Sequence, residues 1–308
     1  MLSAAGVRPG EKVRVVVDQP FAAEGEALAA AARVAGATVR VVCFPPDRPL
    51  SAPTAEMLDT AAWADVSIGL LRETYAEELP ARRQMLDVLL SHGGRALSTD
   101  TIDHETLLGE LSRPMPNIEP AARRLLAALD GARELRVRGA AGTDVTLRVA
   151  GRRWLEDCLP LAPGGVANFP GGEVCIAPLA DGADGVVVVD LTIPWGPEEG
   201  LLPEPVTLRF ELGRAVAIEG GAAGKRLRAL VEEAGEGADV IAELGLGLNP
   251  TLHPRGHVLF DEKAAGTAHI AIGNNTGPYG GDNRAAIHID CVFSDPSLTV
   301  DGTAVELP

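Results

Sequence analysis

The first part of the chain alternates short apolar runs with longer segments of helical character. Four apolar runs predict strands at 12–18, 38–44, 65–71 and 95–98. Three segments between them predict helices at 22–34, 55–64 and 79–90. Strands that are separated by whole helices are typical of parallel βαβ units. We therefore predict an α/β N-terminal domain with a Rossmann-like parallel sheet over residues 1–131.

The pattern changes from residue 134 onward, where strand-like runs follow one another closely between Gly, Pro and Asp residues. These runs predict strands at 134–138, 144–149, 174–177, 186–191, 206–211, 269–273 and 287–293. One helix interrupts them at 224–234, with Leu227, Leu230 and Val231 on its apolar side. Short strands joined by tight turns indicate antiparallel pairing. We predict a second, largely antiparallel α+β domain over residues 132–308.

Composition and charge limit the classes of function. The 308 residues are 46% hydrophobic and 23% charged, which is ordinary for a globular chain. The net charge of −16 disfavours binding to nucleic acids and to anionic membrane surfaces. The first strand is followed by Asp18-Gln19-Pro20 rather than by a Gly-x-Gly-x-x-Gly motif, which disfavours a dinucleotide cofactor.

Features that report on location point to the cytoplasm. The chain has no apolar stretch long enough for a membrane helix and no leader-like N-terminal pattern. Its four cysteines are widely separated, with no Cys-x-x-Cys pair: Cys43, Cys158, Cys175 and Cys291. We expect reduced thiols and a cytoplasmic protein.

The histidines are concentrated near the C-terminus. Four of the six lie between residues 253 and 288: His253, His257, His269 and His288. Alternate residues of a strand share a face, so His288 and Asp290 point the same way, as two ligands of one metal do. A buried His–Asp hydrogen bond is the alternative. His269 shares its face with the small Ala271, and the alternative here is a core histidine.

Two glutamates lie in apolar surroundings, Glu173 before the run Val174–Ala177 and Glu243 within 240–247. Burying a carboxylate there costs several kcal/mol unless it is paired or metal-bound. The alternative for each glutamate is a position on an exposed edge strand. Together with the histidines and Asp290, these residues form a set of oxygen and nitrogen ligands without a thiolate. Such a set suits Zn²⁺, Mn²⁺, Co²⁺ or Fe²⁺, and we predict a metal site assembled from several strands.

Two further segments carry possible acid/base groups. Asp261-Glu262-Lys263 precedes His269, although a solvated charge run is the more common explanation. The segment 278–283, with Tyr279, has the composition of a loop between the two histidine-bearing strands. No Gly-x-Ser-x-Gly elbow marks a serine or cysteine nucleophile.

The second half of the chain resembles the thermophilic-type metalloaminopeptidases (aminopeptidases T and S). The segments that carry the resemblance, in chain order, are 168–173 (NFPGGE), 243–250 (ELGLGLNP), 261–263 (DEK), 269–273 (HIAIG) and 288–290 (HID). The resemblance covers roughly residues 160–302. It implies a two-domain fold and a two-metal site of Zn, Co or Mn, with five ligands: Glu173, Glu243, His269, His288 and Asp290.

The chain departs from that family in two respects. It is shorter, with a compressed link between His269 and His288, and Thr276 stands where those enzymes carry a tyrosine. Tyr279 comes three residues later and is the residue that could replace it. The resemblance extends to the 2,5-dihydroxypyridine dioxygenases, which use one iron(II). His269, His288 and Asp290 would form the two-histidine, one-carboxylate set of such iron sites.

The favoured hypothesis is a metal-dependent aminopeptidase that removes N-terminal residues from peptides through a metal-activated water. Glu262 and Tyr279 are the candidates for moving the proton. The alternative is an iron(II) ring-cleaving dioxygenase for a small hydroxylated aromatic, and a third hypothesis is a binding protein without turnover. The expected partners are a peptide or small-molecule substrate, with no nucleic acid or membrane. By analogy with the family, a second copy of the chain completes a homodimer.

Overall fold

The computed structural model describes residues 1–72, 75–100, 102–109, 111–113, 115–158, 160–194 and 200–308. Two compact units are formed. The first unit contains residues 1–115 and 158–171, and the second contains 116–157 and 172–308. None of the helices in the described ranges combines the length and apolar character that a membrane crossing requires.

The described elements follow the chain as seven α-helices and seventeen strands. The helices are α1 (Ala22–Val34), α2 (Ala55–Trp63), α3 (Leu79–Leu90), α4 (His104–Leu108), α5 (Glu119–Leu129), α6 (Gly221–Ala234) and α7 (Val258–Asp261). The strands are β1 (Lys12–Val17), β2 (Thr38–Cys43), β3 (Val66–Leu71), β4 (Arg95–Asp100), β5 (Glu134–Arg138), β6 (Asp144–Arg148), β7 (Trp154–Asp157), β8 (Val166–Asn168), β9 (Glu173–Ile176), β10 (Ala183–Val189), β11 (Val206–Glu211), β12 (Arg214–Glu219), β13 (Ile241–Gly247), β14 (Thr267–Gly273), β15 (His288–Ser294), β16 (Ser297–Val300) and β17 (Thr303–Val305).

The first unit is built on a parallel sheet, sheet A, with the strand order β2-β1-β3-β4-β8. Its central strands β1 and β3 are mostly apolar runs, and β3 is buried along its whole length. Such runs are typical of strands that are covered on both faces. Thr54 caps α2 by accepting a hydrogen bond from the Met57 amide. The predicted Rossmann-like sheet is therefore confirmed.

The second unit contains two antiparallel sheets. Sheet B has the order β12-β11-β10-β6-β5-β16-β17, and sheet C has the order β15-β14-β13-β9-β7. β13 lies in the middle of sheet C, between β14 and β9, and all seven of its residues are buried. Sheet C carries the candidate site on one face, and the mixed α/β fold class predicted from the sequence is confirmed.

The division into units differs from a single boundary after residue 131. Helix α5, with its apolar positions Ala122, Leu125 and Leu129 buried, belongs to the second unit. Residues 158–171 return to the first unit because β8 pairs in parallel with β4. This pairing joins segments far apart in the chain, so local sequence patterns do not reveal it.

Candidate metal centre

The register of three neighbouring strands brings the candidate ligands to one face of sheet C. Glu243 on β13 is opposite Ala271 on β14, and Ala271 is in turn opposite Asp290 on β15. His288 pairs with Gly273, two positions along the same strand. Paired residues project from the same face of a sheet. Glu243 and the two β15 ligands therefore meet across the small side chain of Ala271.

The glycine opposite His269 lets its imidazole lie close to the sheet. His269 is 2% exposed and pairs with Gly245 on β13. A Cβ added at Gly245 would lie 2.0 Å from Cε1 of the His269 ring, so the ring occupies the space of the missing side chain. Only glycine leaves room for this ring position.

Four side chains converge at the centre of this face. Nε2 of His269 lies 3.7 Å from Oε1 of Glu243 and 3.7 Å from Oδ1 of Asp290. Nε2 of His288 lies 3.1 Å from Oε2 of Glu243 and 3.2 Å from Oδ1 of Asp290. Among the described residues, neither His288 Nε2 nor Asp290 Oδ1 has a hydrogen-bond partner, although both are buried. Buried atoms that approach each other without bonding are what a shared cation would satisfy.

The electrostatics of the cluster also favour a bound cation. Burial raises the pKa of Glu243, but His269 and His288 outweigh that effect and lower it overall. Burial lowers the pKa of His269, but Glu243, Asp290 and Glu173 overcome it and raise the value to about 10. Burial also lowers the pKa of His288, but Asp290 and Glu243 overcome it and raise the value to about 11. Without a metal, these histidines hold protons that a divalent ion would replace, so the residues fit a metal.

A second layer of contacts fixes the His288 ring. Its Nδ1 donates a hydrogen bond to the Asn274 carbonyl oxygen at 2.7 Å, which leaves Nε2 as the atom aimed at the carboxylates. The ring of Tyr279 stacks on it, with centroids 5.0 Å apart and planes 19° from parallel. Thr276 Oγ1 instead donates to Asn274 Oδ1 at 3.0 Å. Tyr279 thus reaches the cluster by a different loop path from a tyrosine at position 276.

Beside the cluster, three carboxylates surround one buried lysine. Nζ of Lys263 lies 2.5 Å from Oε1 of Glu173, 2.9 Å from Oε1 of Glu262 and 3.2 Å from Oδ2 of Asp157. Lys263 is fully buried and Glu262 is 8% exposed, so the interpretation of 261–263 as a solvated charge run is wrong. The chain folds α7 directly before β14, which turns this segment inward.

The lysine and the glutamate next to it respond differently to burial. Burial lowers the pKa of Lys263, but its three carboxylate neighbours reverse this and raise it well above the ordinary value, so the ammonium stays charged. Burial raises the pKa of Glu262 to about 8, even though Lys263 opposes the shift. The pKa of Glu262 is thus raised towards neutral pH, the range in which a group can both gain and lose a proton.

The structure brings together four of the five predicted ligands: Glu243, His269, His288 and Asp290. One ligand atom each from Glu243, His269 and Asp290 lies within 4.8 Å of the others. Glu173 lies to one side, with Oε2 4.0 Å from His269 Nδ1 and its other oxygen at Lys263. The edge-strand alternative for Glu243 is wrong because β13 is central and buried.

Other residues that sequence reasoning singled out or missed lie as follows. His253 is exposed and His257 packs edge-on against Phe260, outside the cluster.

Asp157 was missed because its strand, β7, is short and carries no apolar run. Cys175 was also missed as a neighbour of the site. It pairs with Gly245, and burial and the carboxylates of Glu243 and Glu173 raise the pKa of its thiol.

Comparisons of sequence find two kinds of enzyme that are similar to this chain. A family model described as NicX, 2,5-dihydroxypyridine 5,6-dioxygenase, matches residues 1–306. Aminopeptidase AmpS of Bacillus subtilis is 29% identical over 189 residues, which are 54% of this chain and 45% of AmpS. The 2,5-dihydroxypyridine 5,6-dioxygenase of Pseudomonas putida is 29% identical over 211 residues, 64% of this chain and 60% of that protein. The matches thus span about half of the length of these relatives.

Comparisons of structure find the same two kinds of protein. The structure of the 2,5-dihydroxypyridine dioxygenase from Pseudomonas putida has a TM-score of 0.79 at 22% identity, covering 99% of this chain and 93% of that one. AmpT from Thermus thermophilus has a TM-score of 0.72 at 20% identity, covering 99% and 94%. The fold is shared with both. At this level of identity, the fold alone does not separate the two activities.

Proposed function

This chain belongs to the 2,5-dihydroxypyridine 5,6-dioxygenase family, and from that premise we propose that it is a metal-dependent oxygenase that opens a small hydroxylated aromatic ring with O₂. The observation that carries the proposal is the meeting of His269, His288 and Asp290 on one face of sheet C. Two imidazoles and one carboxylate are the ligand set of non-haem iron(II) enzymes that activate O₂.

The neighbouring lysine supports one metal rather than two. Glu173, which a second metal would need, already accepts a hydrogen bond from the Lys263 ammonium at 2.5 Å. A second divalent ion bound by Glu173 would lie close to this buried positive charge, and like charges at short range repel strongly where water is excluded. Lys263 therefore supplies the positive charge that a second ion would bring.

Each residue around the proposed metal has a separate task. Iron(II) held by His269, His288 and Asp290 would supply the activation of O₂. Asn274 holds the His288 tautomer through its carbonyl oxygen, and Tyr279 covers the ring. Glu262, whose pKa burial raises to about 8, is the candidate group for moving a proton to or from the substrate.

A two-metal aminopeptidase is the second candidate. The observation in its favour is that Glu173 Oε2 lies 4.0 Å from His269 Nδ1, so that the fifth residue of the predicted set borders the cluster of the other four. The sequence relative AmpS is an aminopeptidase. In this case Glu173 would have to leave Lys263 to bind the second ion, and the substrate would be the N-terminus of a peptide.

The experiment that separates the candidates measures metal content and O₂ uptake on protein purified without oxygen or chelators. The oxygenase predicts about one iron per chain and one O₂ consumed per ring opened, with 2,5-dihydroxypyridine and related dihydroxylated rings as substrates. The aminopeptidase predicts two Zn, Mn or Co ions and release of amino acids from peptides without O₂ uptake.

Two variants and one control sharpen the result. Asp290→Ala should abolish activity and metal binding under either candidate, whereas His253→Ala, at an exposed histidine, should leave both unchanged. Glu173→Gln should lower the metal content from two to one in a two-metal enzyme and leave one iron bound in the oxygenase. Retention of full activity by Asp290→Ala would remove the basis for both candidates.

A further inference from the structure

The first unit contains a cavity of about 270 Å³ that the proposed activity does not use. It lies between the face of sheet A that carries Arg14 and helix α3. Its apolar lining includes Val16, Phe44, Leu71, Met85, Leu86 and Leu89. Its polar lining consists of Arg14, Ser67, Ser98, Arg82 and Arg83.

Arg14 is a buried arginine that has no acidic partner among the described residues. It is 5% exposed, its Nε donates to Ser67 Oγ at 3.3 Å and its Nη1 donates to the Met57 carbonyl oxygen at 2.9 Å. Burial lowers its pKa to about 10, and no carboxylate in the described part of the chain opposes that shift. The guanidinium is therefore still charged at neutral pH, with its Nη2 hydrogens not engaged by any described residue.

The other two arginines of the lining are already neutralised. Arg82 pairs with Asp100 at 2.5 Å, and Arg83 pairs with Asp87 at 2.8 Å. Among the described lining residues, Arg14 is thus the cation that has no carboxylate beside it. Acidic residues outnumber basic residues by 43 to 27 in this chain, so a buried arginine without an acid is unusual here. A buried charge is costly unless something pairs with it.

We propose that this cavity is a second ligand site, which binds a small monocarboxylic acid with an apolar body. The carboxylate lies against the Arg14 guanidinium and accepts a hydrogen bond from its Nη2, since Nε and Nη1 donate to Ser67 and Met57. The apolar part packs among the leucines and Met85. The volume is near the lower end of ligand pockets, roughly 300–1,000 Å³, and suits a single ring or a short alkyl chain. One guanidinium matches a single negative charge, whereas a phosphate dianion needs more donors. The site is separate from the metal centre and does not depend on the proposed function.

The test is calorimetric titration of the full chain with benzoate and hexanoate. Benzamide serves as the uncharged match of benzoate, and inorganic phosphate serves as the anion without an apolar body. The proposal expects benzoate or hexanoate to bind at least tenfold more tightly than benzamide and phosphate. Absence of carboxylate binding up to millimolar concentration, or stronger binding of phosphate, overturns it.

Variants locate the binding. Arg14→Met should weaken carboxylate binding at least tenfold, whereas Arg33→Met, at an exposed arginine of the same unit, should change it less than twofold. Ala96→Phe fills the cavity from β4 and keeps Arg14, so it decides the question if Arg14→Met fails to fold. Undiminished binding by either folded cavity variant means that the carboxylate binds elsewhere, the metal centre included, and overturns the assignment.

Discussion

At the residue scale, the candidate metal centre depends on small side chains as much as on its ligands. Ala271 separates Glu243 from Asp290 along one row of sheet C, and Gly245 leaves the space that the His269 ring fills. Larger residues at either position would occupy the place where the ligands meet. These positions carry no chemistry of their own, but they decide where the ligands lie.

Gly245→Ala tests this dependence. The added methyl would lie 2.0 Å from the His269 ring, so the ring must move and we expect metal affinity to fall at least tenfold, as for changes in supporting contacts of metal sites. Gly200→Ala is the control, because no atom of the described residues beyond its chain neighbours lies within 4 Å of a Cβ there. Metal titration of both variants measures the effect. Equal affinities would contradict the packing of His269 on Gly245.

Lys263→Met tests the charge balance beside the centre. The variant leaves Glu173, Glu262 and Asp157 without their buried cation, so we expect the free energy of unfolding to fall by about 3–5 kcal/mol. Excess Mg²⁺ or Mn²⁺ should restore part of the loss by replacing the ammonium. Urea unfolding with and without the ion measures both effects. Lys225→Met, at an exposed lysine, is the control and should leave the free energy of unfolding unchanged. A Lys263→Met variant that is as stable as the wild type without added metal would count against the buried ion cluster.

At the scale of elements, the bounds of helices and strands follow the local periodicity of the sequence, but their packing depends on a few close contacts between elements. Helix α1 begins and ends at the residues that the sequence pattern predicts, 22 and 34. Gly25 within it lies against β1, where an added Cβ would come 2.5 Å from Cγ1 of Val17. The close packing of α1 on sheet A therefore requires glycine, which has no side chain, at position 25 in the helix interior.

Gly25→Ala sets two effects against each other. Helix propensity alone favours alanine by about 1 kcal/mol, whereas overpacking against Val17 costs about 1–3 kcal/mol. We expect net destabilisation in urea unfolding. The double variant with Val17→Ala should show the penalty of Gly25→Ala reduced, because the clashing methyl is gone. If Gly25→Ala stabilises the protein, the close packing of α1 on β1 is incorrect.

At the scale of the whole molecule, charge is the dominant property. The net charge of −16 creates self-repulsion that the folded state must overcome, in addition to the local repulsion within the carboxylate-rich centre. The family assignment also belongs to this scale, since the family model spans residues 1–306 and so covers both units.

The excess of negative charge predicts a dependence on salt. Raising ionic strength from 0.01 to 0.15 M shortens the screening length from about 30 to about 8 Å. We expect the Tm to rise by a few degrees because repulsion among surface carboxylates is weakened. Calorimetry in NaCl and in KCl checks this, and the two salts should agree if the effect is screening. A Tm that stays constant or falls would mean that attractive surface pairs dominate.

The sequence by itself determined much of the local structure and named the candidate ligands. Strand and helix patterns follow from covalent geometry with periods of about 2 and 3.6 residues, so α1, α3 and the central strands were predicted close to their observed bounds. The spacing of His288 and Asp290 placed both on one strand face, and the structure agrees. The resemblance to the aminopeptidases and dioxygenases is confirmed.

Only the tertiary structure decided which charges meet. Three contacts join residues that are far apart in the chain. They are the pairing of β8 with β4, the ion pairs of Lys263 with Glu173 and Asp157, and the hydrogen bonds of Arg14 to Ser67 and Met57. Strand register and packing set these distances, and neither is encoded in a local window of sequence. For that reason the sequence grouped Glu173 with the four other predicted ligands, whereas in the fold Glu173 forms an ion pair with Lys263.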